Sequence, residues 1–292
     1  MSLVWWGLAL VVGATLAIVV VARAVQKYVR RKRDDHGLRP TLWNRFYALD
    51  WGDTATNNYG FAPADEGDPA PDRFQRQMYR EAHRLLRAEG VELPHGARLL
   101  EVSCGRGGGL LAFQEAAGPG AFEATGLDVA ASAIRFCQKA HAGREGLDFV
   151  EGSALDLPFP DASIDVVLNI EASNCYTDRP RFFAEVRRVL RHGGVFLYAD
   201  TEKAGNTGRM GRDLREARFD FSLREITANV VDACRQDSPR RRDLIRAGAP
   251  LPARLLLRNE LGNYAAIEGS KKFGRLVSGE RRYYMTAARV AG

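Results

Sequence analysis

Ala97-Arg98-Leu99-Leu100-Glu101-Val102-Ser103-Cys104-Gly105-Arg106-Gly107-Gly108-Gly109-Leu110-Leu111-Ala112-Phe113 is the stretch that decides the fold class. A short apolar run suited to a buried strand passes into a turn so crowded that glycine supplies its backbone. The helical pattern of Leu110, Leu111 and Phe113 then resumes. A strand that hands over to a helix in this way leaves N–H groups open beside a helix N-terminus, where the main chain can approach a ligand closely. Nineteen residues after Gly109, Gly126-Leu127-Asp128 reads as the end of a second strand carrying a carboxylate. That spacing suits an acid gripping the ribose of a nucleoside-type cofactor in the first crevice of a doubly wound sheet.

A glycine-rich turn followed by an acid is ambiguous by itself. A dinucleotide site wants G-x-G-x-x-G with no acid inside the strand, because the helix end must face a pyrophosphate. Here Glu101 stands just before the glycines, where a carboxylate repels phosphate and pairs with an ammonium or sulfonium. Glu101-x-x-x-Gly105-x-Gly107, then Asp128, then Gly152-Ser153-Ala154-Leu155-Asp156-Leu157-Pro158-Phe159 resembles the class I S-adenosylmethionine-dependent methyltransferases. Ser163-Ile164-Asp165-Val166-Val167-Leu168-Asn169 fits that family's central strand, and Leu190-Arg191-His192-Gly193-Gly194-Val195-Phe196-Leu197 its next turn and strand. The resemblance implies S-adenosyl-L-methionine as cofactor, room for its methionine part at Gly105 and Gly107, a ribose contact at Asp128 and an adenine border at Ser153-Ala154. Glu101, Ser103, Val129 and Asn169 complete the expected cofactor set, with no metal. Three residues depart from the family pattern. Ser103 replaces a usual glycine, Ser153 an aspartate and His192 a proline.

Around this core, strand candidates near 98–103, 123–128, 147–151, 164–170 and 194–199 alternate with helical stretches near 109–116, 130–141 and 179–191. Such alternation predicts a doubly wound α/β fold. With the resemblance, the expectation is a mostly parallel, seven-stranded, Rossmann-like sheet with an N-terminal transmembrane helix and a helical lid insertion. Apolar residues at 74, 78, 82, 85 and 86 predict a helix over 73–88. Residues 63–71 read as a surface loop, and 281–290 as a closing edge strand. The expected organisation is an anchor at 1–22, a basic and amphipathic connector at 23–48 and a methyltransferase domain at 49–292. That domain divides into lid and first helix (49–96), cofactor-binding core (97–202), substrate cover (203–279) and closing strand (280–292). The aromatic and asparagine-rich segment Asn57-Asn58-Tyr59-Gly60-Phe61-Ala62-Pro63, with Tyr47 and Trp51 before it, is the lid candidate.

Residues 3–22 are 20 residues without a charge. At about 1.5 Å per residue they reach roughly 30 Å, the thickness of a bilayer core. Arg23, Lys27, Arg30, Arg31, Lys32 and Arg33 follow directly. A signal peptide carries its positive charge ahead of the apolar run, so this order predicts a single-pass anchor with the catalytic domain on the cytoplasmic side. The chain has 42 Lys+Arg against 36 Asp+Glu, and removing those six residues leaves 36 against 36. The excess charge is therefore a membrane flank rather than a basic face, which argues against a nucleic-acid partner. Arg240-Arg241-Arg242 reads as a solvated helix face. Four cysteines at 104, 137, 175 and 234 have no paired spacing, in keeping with a reducing compartment.

The methyl acceptor should lie over the carboxyl ends of the strands. One such end is Asn169-Ile170-Glu171-Ala172-Ser173-Asn174-Cys175-Tyr176. With Ile226-Thr227-Ala228-Asn229-Val230, Ser238-Pro239-Arg240-Arg241-Arg242-Asp243-Leu244 and Glu280-Arg281-Arg282-Tyr283-Tyr284-Met285, it resembles the mycobacterial phthiotriolone and phenolphthiotriolone dimycocerosate methyltransferases, from about residue 57 onward. The resemblance implies a lipophilic acceptor (lipid, polyketide or isoprenoid) and favours O-methylation. Glu171, Asn174 and Tyr176 are the candidate catalytic residues. Asn174 stands where that family tends to carry histidine, so a base would have to be another group, such as Glu171 or one from the lid, and Tyr176 can donate or accept a hydrogen bond. The missing histidine also raises the alternative of C-methylation of a sterol or isoprenoid alkene, and Ser103, Ser153 and Asn174 together support that of a tethered binding protein that kept the fold without catalysis.

Overall fold

The structure, a computed structural model, describes residues 43, 44, 47, 48, 52, 54–206, 208–248 and 258–290. The expected anchor, its basic flank, most of the connector and Trp51 lie outside the described residues. Among the described residues no helix is long and apolar enough to cross a membrane.

Helix α1 (Arg73–Ala88) buries Phe74, Met78, Ala82 and Leu86, four of the five positions that the helical spacing predicts. Then come β1 (Ala97–Val102), α2 (Gly108–Ala117), β2 (Phe122–Asp128), α3 (Ala131–Ala140), β3 (Leu147–Glu151) and β4 (Ile164–Ile170). After α4 (Arg179–Val189) and β5 (Leu190–Lys203) follow α5 (Arg209–Glu216), β6 (Phe219–Asp220), β7 (Arg224–Glu225), α6 (Thr227–Gly248), α7 (Arg258–Tyr264), α8 (Lys271–Val277) and β8 (Arg281–Val290).

The strands form one sheet in the order β3-β2-β1-β4-β5-β8-β6, with β7 beside β8. The first five are parallel, and β8 runs antiparallel to β5, β6 and β7. All seven residues of β4 are buried, as a strand covered on both faces requires. From β1 the chain steps outward to β2 and β3, then returns to place β4 on the other flank of β1. This reversal opens a crevice at the carboxyl ends of β1 and β4, where such sheets hold their ligands.

Three expectations need correction. The described sheet has eight strands rather than seven, because the cover at 203–279 is not wholly helical and lends it β6 and β7. Strands of two residues have no period to read. The closing strand β8 is not at the edge, since β5 flanks it on one side and β6 and β7 on the other. Finally, β5 begins at Leu190, not near 194. Ile164 pairs with Leu190 but Val166 with Val195, so Arg191-His192-Gly193-Gly194 bulges opposite Asp165. Arg191 uses the bulge to donate to Asp165 at 2.9 Å.

Two apolar layers sandwich the sheet. On one side Phe182, Phe183, Phe196 and Tyr198 form a cluster of fully buried rings with centroids 5.2–5.9 Å apart. On the other, α1 crosses α2 so closely that a Cβ on Gly109 would lie 1.9 Å from Tyr79 Cζ. Gly109→Ala should therefore lower unfolding stability by about 1–3 kcal/mol in denaturant titration, the usual cost of overpacking. A second substitution, Tyr79→Leu, should recover part of the loss if the clash is its cause.

Candidate active site

Directly after β1 and β4 comes a non-glycine residue with left-handed backbone, Ser103 at φ +64° and Glu171 at φ +56°. Such strain costs about 1–3 kcal/mol per residue and marks a sharp turn after each strand at the crevice. It also gives the physical reason that glycine is usual at the position of Ser103.

Glu101 is 1% exposed, and its Oε1 accepts from the Tyr79 hydroxyl at 2.7 Å. Oε2 is buried without a hydrogen bond from any described residue. Burial pushes the carboxyl up to about 8, with the Asp128 charge adding to the rise and the Tyr79 hydroxyl and Leu110 amide opposing it. Asp128 spreads its two oxygens over the Gly105 amide (2.9 Å) and the Ala130 amide (2.9 Å), and so pins the glycine turn to β2. Its pKa is raised by burial against the pull of the Ala130, Gly105 and Val129 amides. At the end of β4, Asn169 Nδ2 donates to the Val102 carbonyl and to the Tyr176 hydroxyl, both at 2.9 Å, and Tyr176 also meets Ser103 Oγ at 2.7 Å. Asn169 Oδ1 is the second buried acceptor without a described partner. Ser153 accepts from the Leu155 amide at 3.1 Å and starts the bend that buries Ala154.

At the two glycines expected beside the cofactor, the space a Cβ would fill is taken by the protein's own side chains. Beyond Gly107, the space a Cβ would fill holds the Phe149 ring at 2.8 Å and His141 Nε2 at 3.1 Å. Phe149 pairs with Gly126 across β2 and β3, so its ring lies over both glycines. Beside Gly105 stands the Tyr47 hydroxyl, 2.8 Å from a hypothetical Cβ. The glycines admit the protein's own rings, and spacing along one segment could not reveal that.

The segment from Thr54 to Ala62 runs from the glycine turn to Glu171. The Gly108 amide donates to the Ala55 carbonyl at 3.1 Å, and Arg106 to the Thr54 carbonyl at 2.9 Å. Asp72 accepts from the Ala55 and Thr56 amides and from the Thr56 hydroxyl. Farther on, the Tyr59 amide donates to Glu171 Oε1 at 2.7 Å. The same oxygen accepts from the Tyr283 hydroxyl at 2.9 Å. Lys272 Nζ reaches the Tyr59 hydroxyl at 2.5 Å. Burial lifts the half-buried Glu171 carboxyl to about 7, Asp200 adds to the lift, and Tyr59, Tyr283 and Lys272 oppose it.

Of the residues expected around the acceptor, only Glu171 stands in this cluster. Tyr176 is joined to Ser103 and Asn169, on the Glu101 side of the crevice. Asn174 Nδ2 donates to Asp200 and to the Thr201 carbonyl (2.9 Å), so its amide braces the β4–β5 edge. Asp200 in turn accepts from Ser173 Oγ at 2.7 Å. The sequence reading missed Tyr79, Tyr283, Lys272 and Asp200. Only Tyr283 had a local signal, because it alternates with the buried Met285 and Ala287 along β8.

Residues 100–198 match the family described as "Methyltransferase domain". A phthiotriol/phenolphthiotriol dimycocerosates methyltransferase of Mycobacterium leprae (strain TN) is 40% identical over 221 residues, covering 75% of this chain and 77% of that protein. The chain belongs to this methyltransferase family. A fatty-acid O-methyltransferase of Mycolicibacterium smegmatis is 39% identical over 182 residues, 60% of this chain and 63% of its own length. Among solved structures, the [4+2]-cyclase SpnF superposes with a TM-score of 0.64 at 18% identity, covering 86% of this chain and 94% of the other. That likeness establishes the Rossmann-like fold alone.

The methyltransferase uses S-adenosyl-L-methionine, and its crevice fits that cofactor. Glu101 Oε2 and Asn169 Oδ1 are acceptors that no described residue satisfies, so they suit a ligand rich in N–H donors and positive charge. A phosphate chain would bring only more acceptors. A cationic ligand favours the ionised form of Glu101, so binding at pH 7 should release a proton, and affinity should rise from pH 6 to pH 8. Calorimetry of cofactor binding in buffers of different ionisation heat checks this. For the ligand-free protein the sign is opposite. A carboxyl raised to about 8 when folded holds its proton in that state, so Glu101's contribution to stability is greatest below about pH 4 and falls as pH rises towards 8.

Proposed function

We propose that this methyltransferase methylates oxygen on a lipophilic acceptor, with Glu171 as general base, and that residues 3–22 anchor it in a membrane with the catalytic domain on the cytoplasmic side. The observation that carries the catalytic part is Glu171 at the carboxyl end of β4, raised to about 7 and held through a single oxygen. Both donors sit on Oε1, which leaves Oε2 to take the acceptor's proton. A base near neutrality is matched to that task.

The cofactor supplies an electrophilic methyl group on a sulfonium. Glu101 and Asn169 would offer it acceptors, while Asp128 holds the glycine turn in shape. Ser103, Val129, Ser153 and Ala154 are assigned to the same crevice, and the Thr54–Ala62 segment excludes water from it. Glu171 takes the proton from the acceptor hydroxyl as the new C–O bond forms and the C–S bond breaks. Tyr283 and the Tyr59 amide then hold the protonated carboxyl in place. The names of the relatives, dimycocerosates and fatty acids, support a lipid-like acceptor.

The second reading is C-methylation, favoured by the Tyr59 and Tyr283 rings beside Glu171. Aromatic faces and a carboxylate would steady a developing carbocation. Labelled-methyl transfer into lipid extract, with mass spectrometry of the product, separates an ether or ester from a methylated alkene. In that assay Glu171→Gln should cut turnover by about 10²–10⁴-fold while cofactor affinity stays unchanged. For the unmutated enzyme, turnover should rise with pH through about 7, because only the ionised carboxyl accepts a proton.

For the anchor, the support is the uncharged run of 20 residues and the six basic residues behind it. The full chain should pellet with membranes and resist alkaline carbonate, and a chain starting at Asp34 should stay in the supernatant. Recovery of the full chain in the soluble fraction would reject the anchor.

A further inference from the structure

Arg241 lies in the middle of α6, in a run of three arginines read from sequence as a solvated face. It is instead 6% exposed, which corrects that expectation. The cause is Asp237, one turn earlier and 3% exposed, which accepts from Arg241 Nε at 2.8 Å. Asp237 also accepts from Arg240 Nη2 at 2.7 Å and from Gln75 Nε2 of α1 at 2.8 Å. The guanidinium is thus fixed at its near end by a buried carboxylate that is itself tied to a second helix.

The far end reaches two carbonyls on different segments. Nη2 donates to the Tyr59 carbonyl at 2.7 Å, and Nη1 to the Ala265 carbonyl at 2.6 Å. Tyr59 is therefore held at both ends of its backbone, its amide on Glu171 and its carbonyl on Arg241. Ala265 begins the turn that leads to α8 and Lys272, whose ammonium meets the Tyr59 hydroxyl. Only a planar fork with N–H groups at three corners makes these bonds together, and lysine has no equivalent geometry.

We propose that Arg241 is a positioning residue for methyl transfer: it clamps Tyr59 so that the Tyr59 amide stays on Glu171 and the lid stays joined to the cover. This rests on the reading of Glu171 as the base. Charged bonds to carbonyls in a dry setting are strong and costly to lose, which suits a clamp. Arg241 does not touch Glu171, so its effect must pass through the lid. Tyr59 from the 54–62 segment, Asp200 from β5, Lys272 from α8 and Tyr283 from β8 act on the Glu171 charge, and Tyr79 of α1, Cys234 of α6 and Tyr264 of α7 also feel it. Of these, Arg241 bonds directly to Tyr59 and Cys234.

The test compares the unmutated full chain with Arg241→Lys and Asp237→Asn. The lysine keeps a cation beside Asp237 but cannot fork to both carbonyls, and the asparagine keeps the shape while loosening the guanidinium. Hydrogen exchange of the 54–62 backbone, read by mass spectrometry without cofactor or acceptor, should speed up in both variants. Turnover should fall about tenfold, the scale of a small misplacement, with the KM for cofactor unchanged. The pH midpoint of turnover should move up by about half a unit, as expected when a carboxylate loses an amide donor. A purely structural arginine would lower the yield or melting temperature and leave the midpoint and the 54–62 exchange where they were. That result, in either folded variant, overturns the proposal. If the unmutated enzyme shows no ionisation near pH 7, the Glu171 reading has failed instead, and the exchange arm still decides whether Arg241 clamps the lid.

Discussion

Desolvation of carboxyl groups at one edge of the sheet is the constraint on which the rest of this structure depends. Glu101, Asp128 and Glu171 stand within a residue of strand ends and Asp200 three residues before the end of β5, and burial raises each pKa. None of the four forms an ion pair with a described residue. Elsewhere in the protein the pattern reverses. Asp68, Glu185 and Asp237 are flanked by guanidinium groups and held below the usual carboxylate range. Those three acids are paired with cations, whereas at the strand ends Lys272 and Arg179 only partly offset the burial of Glu171 and Asp200. A sulfonium cofactor with an amino group brings positive charge and N–H donors to these acids.

Leaving buried acceptors unsatisfied is costly, so the surrounding structure must hold them rigidly. The aromatic layer under β4 and β5 does this from one side, and the α1–α2 crossing at Gly109 from the other. The 54–62 segment adds a third support made mainly of polar bonds. Asp72, Arg106 and the Gly108 amide hold its first half, and Glu171 and Arg241 its second. These are polar bonds, which exchange with water more readily than packed apolar surface does.

The sequence made some of the site plain. Glu101 and Asp128 stand out because each adjoins glycines at the spacing of a strand–turn–helix crevice. Glu171 is visible because it ends the most apolar strand. Tyr79, Asp200 and Arg241 were not, for a common reason. They come from α1, β5 and α6, and reach the crevice through chain reversals that no local period records. Arg241 was actively misleading, since three adjacent arginines look solvated until Asp237 is found buried behind one of them. Tyr176 shows the opposite error: seven residues along the chain from Asn169, it bonds that side chain directly instead of joining Glu171.

Alone, the chain determined the α/β alternation, the strand–glycine–helix turn, the first helix and the acids that end β1, β2 and β4. These are short-range properties, set by side-chain periodicity and by the backbone freedom of glycine. Only the tertiary structure decided which rings fill the space beside Gly105 and Gly107, that β8 lies inside the sheet, and that a lid residue joins Glu171 to Arg241. Those outcomes depend on atoms far apart in sequence competing for the same few ångströms, and packing settles that competition only after the whole chain has closed around it.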